Sequence, residues 1–226
     1  MIPLRDTIPS RRVPWVTRLL LGLNLAAFVI ELWQGQALEA FVYHFGVVPT
    51  HWHVSSLSDV LDWPWLLVTL LTSQFLHGGP VHLGSNMLYL WIFADNVEDR
   101  LGPVRFLLLY LGSGIAAAAA QILMTPSSSV PMVGASGAIA GILGAYLLSF
   151  PAARIVTLVP LGLYWDTVEI PAFVFLGFWF VLQWFSGVAS IGQVADVGGV
   201  AFWAHIGGFV SGMIGAVALR PNRGWG

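Results

Sequence analysis

The chain has 226 residues, of which 57% are hydrophobic and only 9% are charged. A soluble globular protein carries about 25% charged residues, so this composition excludes an ordinary soluble domain and indicates an integral membrane protein. The net charge is −2 and cysteine is absent. These values exclude a basic nucleic-acid-binding tract, disulfide bonds, thiolate metal sites and a cysteine nucleophile.

Apolar segments of roughly 20 residues, the length that crosses a bilayer as a helix, recur along the chain. They predict six transmembrane helices, over residues 15–33, 80–94, 106–124, 133–150, 171–185 and 200–219. Residues 63–76 are also apolar, but they form a short segment that Pro64 and a Thr-Ser-Gln cluster interrupt. We therefore predict an all-α polytopic bundle that forms one membrane domain over residues 1–226, with residues 34–79 as a long outer loop.

The basic residues of the chain are all arginine, and with six spans they all fall on one side of the membrane. They are Arg5, Arg11, Arg12, Arg18, Arg100, Arg105, Arg154, Arg220 and Arg223. The positive-inside rule makes that side cytoplasmic and predicts both termini in the cytoplasm. Counting residues 63–76 as a full crossing would move Arg100 and Arg105 outside. We therefore expect that segment to dip into the outer interface, with its tryptophans near the headgroups.

Two connections between the predicted spans differ in character. Residues 186–199 form an outer connection rich in Gly, Ser and Val, a composition that suits a mobile flap. Residues 151–170 carry one Arg and two acidic residues, and we predict that they lie on the cytoplasmic side.

Few ionisable or amide side chains occur within the spans, and such groups are costly in a bilayer, which makes them functional candidates. We take as candidates Asn24, His82, Asn86, Gln121, Gln183 and His205, joined by the hydroxyl of Ser136. Because the second, fourth and sixth spans all run inward, His82, Asn86, Ser136 and His205 fall within about 8 Å of depth at a rise of about 1.5 Å per residue. His82 and Asn86 are four residues apart and share a helix face.

Small residues recur every four positions in the fourth and sixth spans, and such rows permit close backbone contact. The rows are Gly137-x3-Gly141-x3-Ala145, Gly208-x3-Gly212 and Ser211-x3-Gly215. The row of the fourth span begins next to Ser136, and that of the sixth span begins three residues after His205. Packing of the rows would therefore bring Ser136 and His205 within hydrogen-bonding reach.

A serine hydroxyl becomes a useful nucleophile only when a base takes its proton, and neutral imidazole suits that role near pH 7. Ser136 is thus the predicted nucleophile and His205 the predicted base. Asn86, His82 and the free N–H groups at the start of the fourth span are candidate donors to a tetrahedral oxyanion. The acidic residues of the second span lie at its cytoplasmic end, so we predict a dyad with no third, acidic member. No metal or cofactor is predicted.

Simpler explanations exist for each residue alone. A serine between glycines is typical of helix packing, and a single histidine in a span is as often structural as functional. A metal site at His51-x-His53 is conceivable, although no His-Glu-x-x-His motif accompanies it. A transporter using the polar cluster would need a polar path, and we expect the inner halves of the spans to supply little beyond Gln183 and Gln121.

Four motifs carry a family resemblance. They are His77-Gly78-Gly79-Pro80-Val81-His82-Leu83-Gly84-Ser85-Asn86, Glu98-Asp99-Arg100-Leu101-Gly102, Gly134-Ala135-Ser136-Gly137 and Ala204-His205-Ile206-Gly207-Gly208. Their combination resembles the rhomboid intramembrane serine proteases, in the six-span form common in prokaryotes. The resemblance implies that Ser136 is the nucleophile, His205 the base, and His82 and Asn86 the oxyanion donors, with backbone N–H groups at Ser136.

The resemblance also implies a location and a substrate. We expect a multi-pass protein of a prokaryotic cell membrane, whose active site lies in a water-filled cavity that opens on the non-cytoplasmic side. The expected partners are the lipid bilayer and single-pass membrane proteins, which are cut in or near their spans. The fifth span and residues 186–199 would form a lateral gate and cap. The alternative within the same family is a non-catalytic protein that binds membrane clients; such relatives typically lack the Ser or the His, and this chain has both.

The chain departs from the family pattern at two places. Many members carry a Trp-Arg pair in the first outer loop, but no Arg occurs here between Arg18 and Arg100. Some members place a Tyr four residues after the nucleophile, to stack on the catalytic His, and this position is Ala140 here. We therefore expect His205 to be oriented by other neighbours, such as Trp203 or Phe202.

Overall fold

The computed structural model describes residues 1–52, 63–162, 164–191 and 200–220, and most of these residues are helical. Their α-helices are α1 Trp15–Trp33, α2 Leu38–Phe45, α3 Trp63–Thr72, α4 Pro80–Leu101, α5 Pro103–Met124, α6 Ser136–Ser149, α7 Ala172–Ser190 and α8 Phe202–Ala218. Short 3-10 turns lie at Gly35–Ala37, Pro49–Trp52 and Ser73–Phe75.

The centre of the bundle is α6, in which residues 137–146 are all buried. Helix α8 packs along α6 at such close range that its own glycine row has no room for side chains. A Cβ atom added to Gly208 would overlap the carbonyl oxygen of Gly137, and one added to Gly212 would overlap that of Gly141. The predicted packing of the fourth span against the sixth is therefore confirmed.

Three described helices are long and apolar enough to cross a membrane, namely α1, α5 and α7. Helices α6 and α8 are apolar but shorter, at 14 and 17 residues. The bounds of α1 coincide with the first predicted span. Helix α4 begins at Pro80 as predicted but continues to Leu101, seven residues beyond the predicted end at 94.

The extension of α4 has a specific cause at Glu98. Its carboxylate is buried and accepts hydrogen bonds from the backbone N–H groups of Val16 and Thr17, at 2.9 and 2.8 Å, and from the Thr17 hydroxyl at 2.7 Å. These donors belong to the first turn of α1, where helix N–H groups have no partner within the helix. The acidic end of α4 therefore remains helical because it caps the start of α1.

The expectation of an all-α chain is wrong at the cytoplasmic end predicted for the bundle. Strands β1 Ile2–Asp6, β2 Arg154–Leu161 and β3 Tyr164–Pro171 form an antiparallel sheet in the order β1-β2-β3. Residues 154–161 include the β-branched residues Ile155, Val156, Thr157 and Val159, which favour a strand once a partner is present. Gly162, with a φ of +70°, lies in the two-residue connection between β2 and β3.

The sheet is attached to the helices through Asp6. Its carboxylate accepts hydrogen bonds from the Tyr146 hydroxyl at 2.6 Å and from the Asn96 amide at 2.8 Å. Burial raises the pKa of the Asp6 carboxyl, an effect that hydrogen bonds from Tyr146 and from the backbone and the charge of Arg5 partly offset. The N-terminal strand is thereby joined to both α4 and α6.

The outer loop predicted over residues 34–79 contains helices α2 and α3. Trp65 stacks on the ring of His44 at 4.5 Å and donates from Nε1 to the His44 carbonyl, and the Thr72 hydroxyl donates to the Phe45 carbonyl at 2.7 Å. These contacts join α3 to α2 in a loop without arginine. His51 contacts Tyr43 at 2.9 Å, whereas His53 lies outside the described residues.

The first part of the flap predicted over residues 186–199 is helical. Its first five residues continue α7, which ends at Ser190 and not at the predicted residue 185. Residues 192–199, including Asp196, lie outside the described residues.

Candidate active site

The four sequence-predicted site residues lie at the same end of the bundle, where their helices begin. Ser136 is the first residue of α6, while His82 and His205 lie in the opening turns of α4 and α8. Together with Asn86 they line a cavity of about 670 Å³. The cavity therefore brings together side chains from three separate helices.

Ser136 and His205 are in direct contact. The distance from His205 Nε2 to Ser136 Oγ is 2.9 Å, a hydrogen-bonding distance, and both residues are half-buried. Gly137 follows Ser136 on α6, and Gly208 lies three residues after His205 on α8. The close packing of Gly208 against the Gly137 carbonyl therefore holds the two helices near each other beside this pair. The geometry allows a proton to pass from the hydroxyl to the imidazole.

His82 and Asn86 face the backbone that leads into Ser136. Gly134 has a φ of +129°, and a Cβ atom added there would lie 2.8 Å from His82 Nε2 and 3.6 Å from Asn86 Nδ2. The backbone N–H of Gly78 donates to His82 Nδ1 at 3.3 Å, so the proton of a neutral His82 resides on Nε2, which faces the cavity. Gly134, which has no side chain, thus leaves room for the side chains of His82 and Asn86.

Asn86 provides a donor without a partner. Its Nδ2 atom is buried and makes no hydrogen bond to any residue that the structure describes. Buried amide groups are normally hydrogen-bonded, because an unpaired one costs about 1–3 kcal/mol. An unpaired donor in the wall of the cavity is suited to an acceptor that arrives with a bound molecule.

The start of α6 adds backbone donors at the same place. Ile139 donates its N–H to the Ala135 carbonyl at 2.9 Å, which is the first hydrogen bond of the helix. The N–H groups of Ser136, Gly137 and Ala138 therefore have no acceptor within α6. These groups also lie at the positive end of the helix dipole, which favours negative charge.

Two neighbours of His205 differ from those predicted, and both lie on α7. The ring of Trp179 is 5.8 Å from the His205 ring, and Gln183 Oε1 is 2.7 Å from His205 Nδ1. The prediction that Trp203 orients His205 is wrong, since the Trp203 ring packs against Trp184 and Gly187, and the same role for Phe202 stays a prediction.

Gln183 does not lie in the inner half of its span, as predicted, but beside His205, which lines the cavity. In the predicted topology the fifth span runs outward, and Gln183 lies 11 residues after the start of α7, about 16 Å along the helix. Counting depth along that span would have brought it to the level of His205. Gln121, assigned in the same way, accepts from the Ala204 N–H at 3.2 Å and so holds the first turn of α8.

The sequence pattern of the rhomboid domain matches residues 64–222, a range that includes Ser136, His205, His82 and Asn86. The chain belongs to the rhomboid family. Family membership and the apolar helices together make it a membrane protein.

Individual rhomboid relatives come from distant organisms. The chain is 28% identical to Rhomboid protein 1, mitochondrial, from Saccharomyces cerevisiae, over 86% of this chain and 50% of the relative. It is 32% identical to Rhomboid protease GluP from Bacillus subtilis, over 93% of this chain and 36% of the relative. It is 37% identical to RHOMBOID-like protein 4 from Arabidopsis thaliana, over 69% of this chain and 35% of the relative.

This chain thus spans half or less of the length of these relatives. Their origins are a fungal mitochondrion, a bacterium and a plant. Similarity to rhomboids therefore fits several cellular membranes, and the prokaryotic cell membrane stays a prediction.

Proposed function

We propose that this rhomboid is an intramembrane serine endopeptidase, which hydrolyses peptide bonds in or near the spans of single-pass membrane proteins through Ser136 and His205. The observation that carries the proposal is the 2.9 Å contact between His205 Nε2 and Ser136 Oγ, at a cavity that the unpaired amide of Asn86 also lines. The printed name of the Bacillus subtilis relative, a rhomboid protease, supports the same activity.

In the first half of the reaction, Ser136 Oγ attacks the carbonyl carbon of the scissile bond while His205 Nε2 takes the hydroxyl proton. The carbonyl oxygen becomes an oxyanion. The N–H groups at the start of α6, together with His82 Nε2 and Asn86 Nδ2, are the donors that stabilise this charge. His205 then gives its proton to the leaving amine, and the C–N bond breaks to leave an acyl group on Ser136.

In the second half, a water molecule attacks the acyl carbon and His205 takes a proton from it. The same donors stabilise the second oxyanion. Collapse of this intermediate breaks the bond to Ser136 Oγ, which recovers its proton from His205 and releases the new carboxyl terminus.

For the membrane topology we propose six spans, formed by α1 and α4–α8, with both termini in the cytoplasm. Arginines from distant parts of the chain meet at one end of the bundle, where Arg12 lies 3.9 Å from Asp99 and the charges of Arg100 and Arg220 interact. Asp99 is 17 residues beyond His82 on α4, which separates the two by about 25 Å along the helix. The positive-inside rule then assigns the cavity to the non-cytoplasmic side.

A membrane-embedded substrate would reach the cavity from the side. We propose α7 as the gate, because it presents a row of exposed apolar side chains to lipid. They include Phe173, Phe178, Val181 and Phe185. Most of the predicted cap, residues 192–199, lies outside the described residues.

The test is cleavage of a model single-pass substrate by the protein in proteoliposomes. The wild-type protein is compared with Ser136→Ala, His205→Ala and a matched control, Ser149→Ala, which removes a serine hydroxyl at the other end of α6. We expect cleavage by the wild type and the control, and loss of cleavage in both dyad variants. A fluorophosphonate should label the wild type and fail to label Ser136→Ala.

Undiminished cleavage by Ser136→Ala would overturn the assignment of the nucleophile. A folded wild type that neither cleaves nor reacts with the fluorophosphonate, yet still captures the substrate, would instead identify a non-catalytic protein that binds membrane clients.

A further inference from the structure

His205 has a second polar contact, on the side of the ring away from Ser136. Its Nδ1 atom lies 2.7 Å from Oε1 of Gln183, while Nε2 lies 2.9 Å from the serine hydroxyl. The three side chains form a continuous hydrogen-bonded chain from α7 through α8 to α6. This contact is as short as that between the histidine and the nucleophile.

The atom that Gln183 presents determines which nitrogen of His205 carries the proton. An amide oxygen only accepts hydrogen bonds, so the contact requires a proton on Nδ1. In a neutral imidazole this leaves Nε2 as the bare acceptor that faces Ser136 Oγ. The opposite tautomer would place a proton on Nε2, where it could not accept the proton of the serine.

Packing alone does not account for a glutamine at this position. Trp179, Gln183 and Gly187 follow one another at four-residue spacing and share the face of α7 that packs against α8. The ring of Trp179 lies 5.9 Å from that of Phe209, and Gly187 packs against the Trp203 ring. Both flanking contacts of Gln183 are apolar, and an amide in such surroundings is unfavourable unless it is hydrogen-bonded.

A neutral acceptor also suits the surroundings better than a carboxylate. An ionised Asp or Glu in the spans carries a large desolvation cost, which an amide avoids. Two buried carboxylates among the described residues are engaged elsewhere. Glu98 caps the start of α1, and Glu31 accepts from the His77 N–H at 2.8 Å.

We propose that Gln183 is a positioning residue that holds His205 in the Nδ1–H tautomer and aims Nε2 at Ser136. The inference rests on the proposed peptidase function. It extends the predicted dyad to a Ser–His–Gln chain whose third member is uncharged. When His205 takes the proton of Ser136, the imidazolium keeps its Nδ1–H bond to the amide oxygen, so no proton moves to Gln183.

The kinetic test compares substitutions that keep or remove the acceptor. Gln183→Met is nearly isosteric and lacks it, Gln183→Glu retains a carboxyl oxygen, and Leu182→Met introduces the same side chain at the adjacent, exposed position. We expect Gln183→Met to lower kcat by about 10–100-fold with KM within about twofold, since the loss concerns the base and not substrate binding. Gln183→Glu should recover most of this loss, and Leu182→Met should match the wild type.

A second measurement reads the tautomer directly and needs no turnover. In protein labelled with ¹⁵N-histidine, the signals of His205 are assigned by their loss in His205→Ala. The wild type should show a protonated Nδ1 and a bare Nε2, and Gln183→Met should show a mixture or the reverse.

The outcomes separate the two hypotheses. Absence of Ser136-dependent cleavage in the wild type would overturn the peptidase function, whatever Gln183 does. Wild-type cleavage with an unchanged kcat and an unchanged His205 tautomer in Gln183→Met would overturn the role of Gln183 alone. A lower melting temperature without a change of tautomer would identify Gln183 as a packing residue and would also overturn the inference.

Discussion

The contact between α6 and α8 gives the sharpest quantitative prediction, through Gly212→Ala. A Cβ atom at position 212 would overlap the carbonyl group and the Cα atom of Gly141. Backbone atoms cannot rotate away as a side chain can, so the two helices must separate by about 1 Å to restore ordinary contact. Overpacking of this kind costs about 1–3 kcal/mol.

The same separation acts on the candidate site. Ser136 and His205 lie on these two helices with only 2.9 Å between Oγ and Nε2, so an increase of about 1 Å would exceed hydrogen-bonding range. A displacement of about 1 Å at a catalytic group can reduce turnover by about 100-fold. We therefore expect Gly212→Ala to lower both stability and kcat.

The assay is thermal unfolding in detergent together with cleavage of the model substrate. The matched control is Gly177→Ala on α7, where a Cβ atom would meet no atom within 4 Å. Because alanine favours a helix over glycine by about 0.5–1 kcal/mol, the control should be neutral or stabilised. Both variants gain the same helix propensity, so the overpacking cost sets the difference between them. At about 2–4 °C per kcal/mol for a chain of this size, we expect a melting temperature roughly 2–12 °C below that of the control. Equal melting temperatures and equal kcat in the two variants would refute the close-packing argument.

Two further substitutions test other contacts. Asn86→Ala should reduce kcat by about 10–100-fold, less than Ser136→Ala, because the remaining donors still stabilise the oxyanion; an unchanged kcat in the cleavage assay would remove Asn86 from the site. Glu98→Gln replaces an acceptor with an amide that faces the N–H groups of α1, and it should lower the free energy of unfolding by about 1.5–3 kcal/mol in denaturant titration. The control Glu169→Gln affects an exposed pair with Arg154, worth about 0–1 kcal/mol. Equal losses in the two glutamate variants would contradict the capping role.

The sequence was sufficient where the determining features are local or follow one helix. The apolar run of α1 has the bounds that the structure gives, and α6 begins at Ser136, within the predicted fourth span. Shared depth on inward-running spans also placed four polar residues around one cavity. Each inference needed only helix rise, hydropathy and the positions of the arginines.

The sequence was insufficient where two distant segments determine each other's structure. Glu98 stays helical because it caps Val16 and Thr17, which lie more than 80 positions earlier in the chain. Similarly, β1 is a strand because it pairs with β2, which follows about 150 positions later. Neither partner is visible in a local pattern. The role of Gln183 depends similarly on the rotation of α7, which its packing against α8 sets.

Among the residues that the structure describes around Ser136, none carries a formal charge while the imidazoles are neutral. In the proposed reaction, charge appears only transiently, as a cationic His205 beside an anionic oxygen at nearly the same depth. A separation of about 3 Å spans a tenth of a hydrocarbon layer about 30 Å thick. The transmembrane voltage, worth about 2.3 kcal/mol per charge per 100 mV over the full layer, then changes the barrier by only about 0.2 kcal/mol. A site of this composition is therefore suited to run at nearly the same rate in an energised and a depolarised membrane.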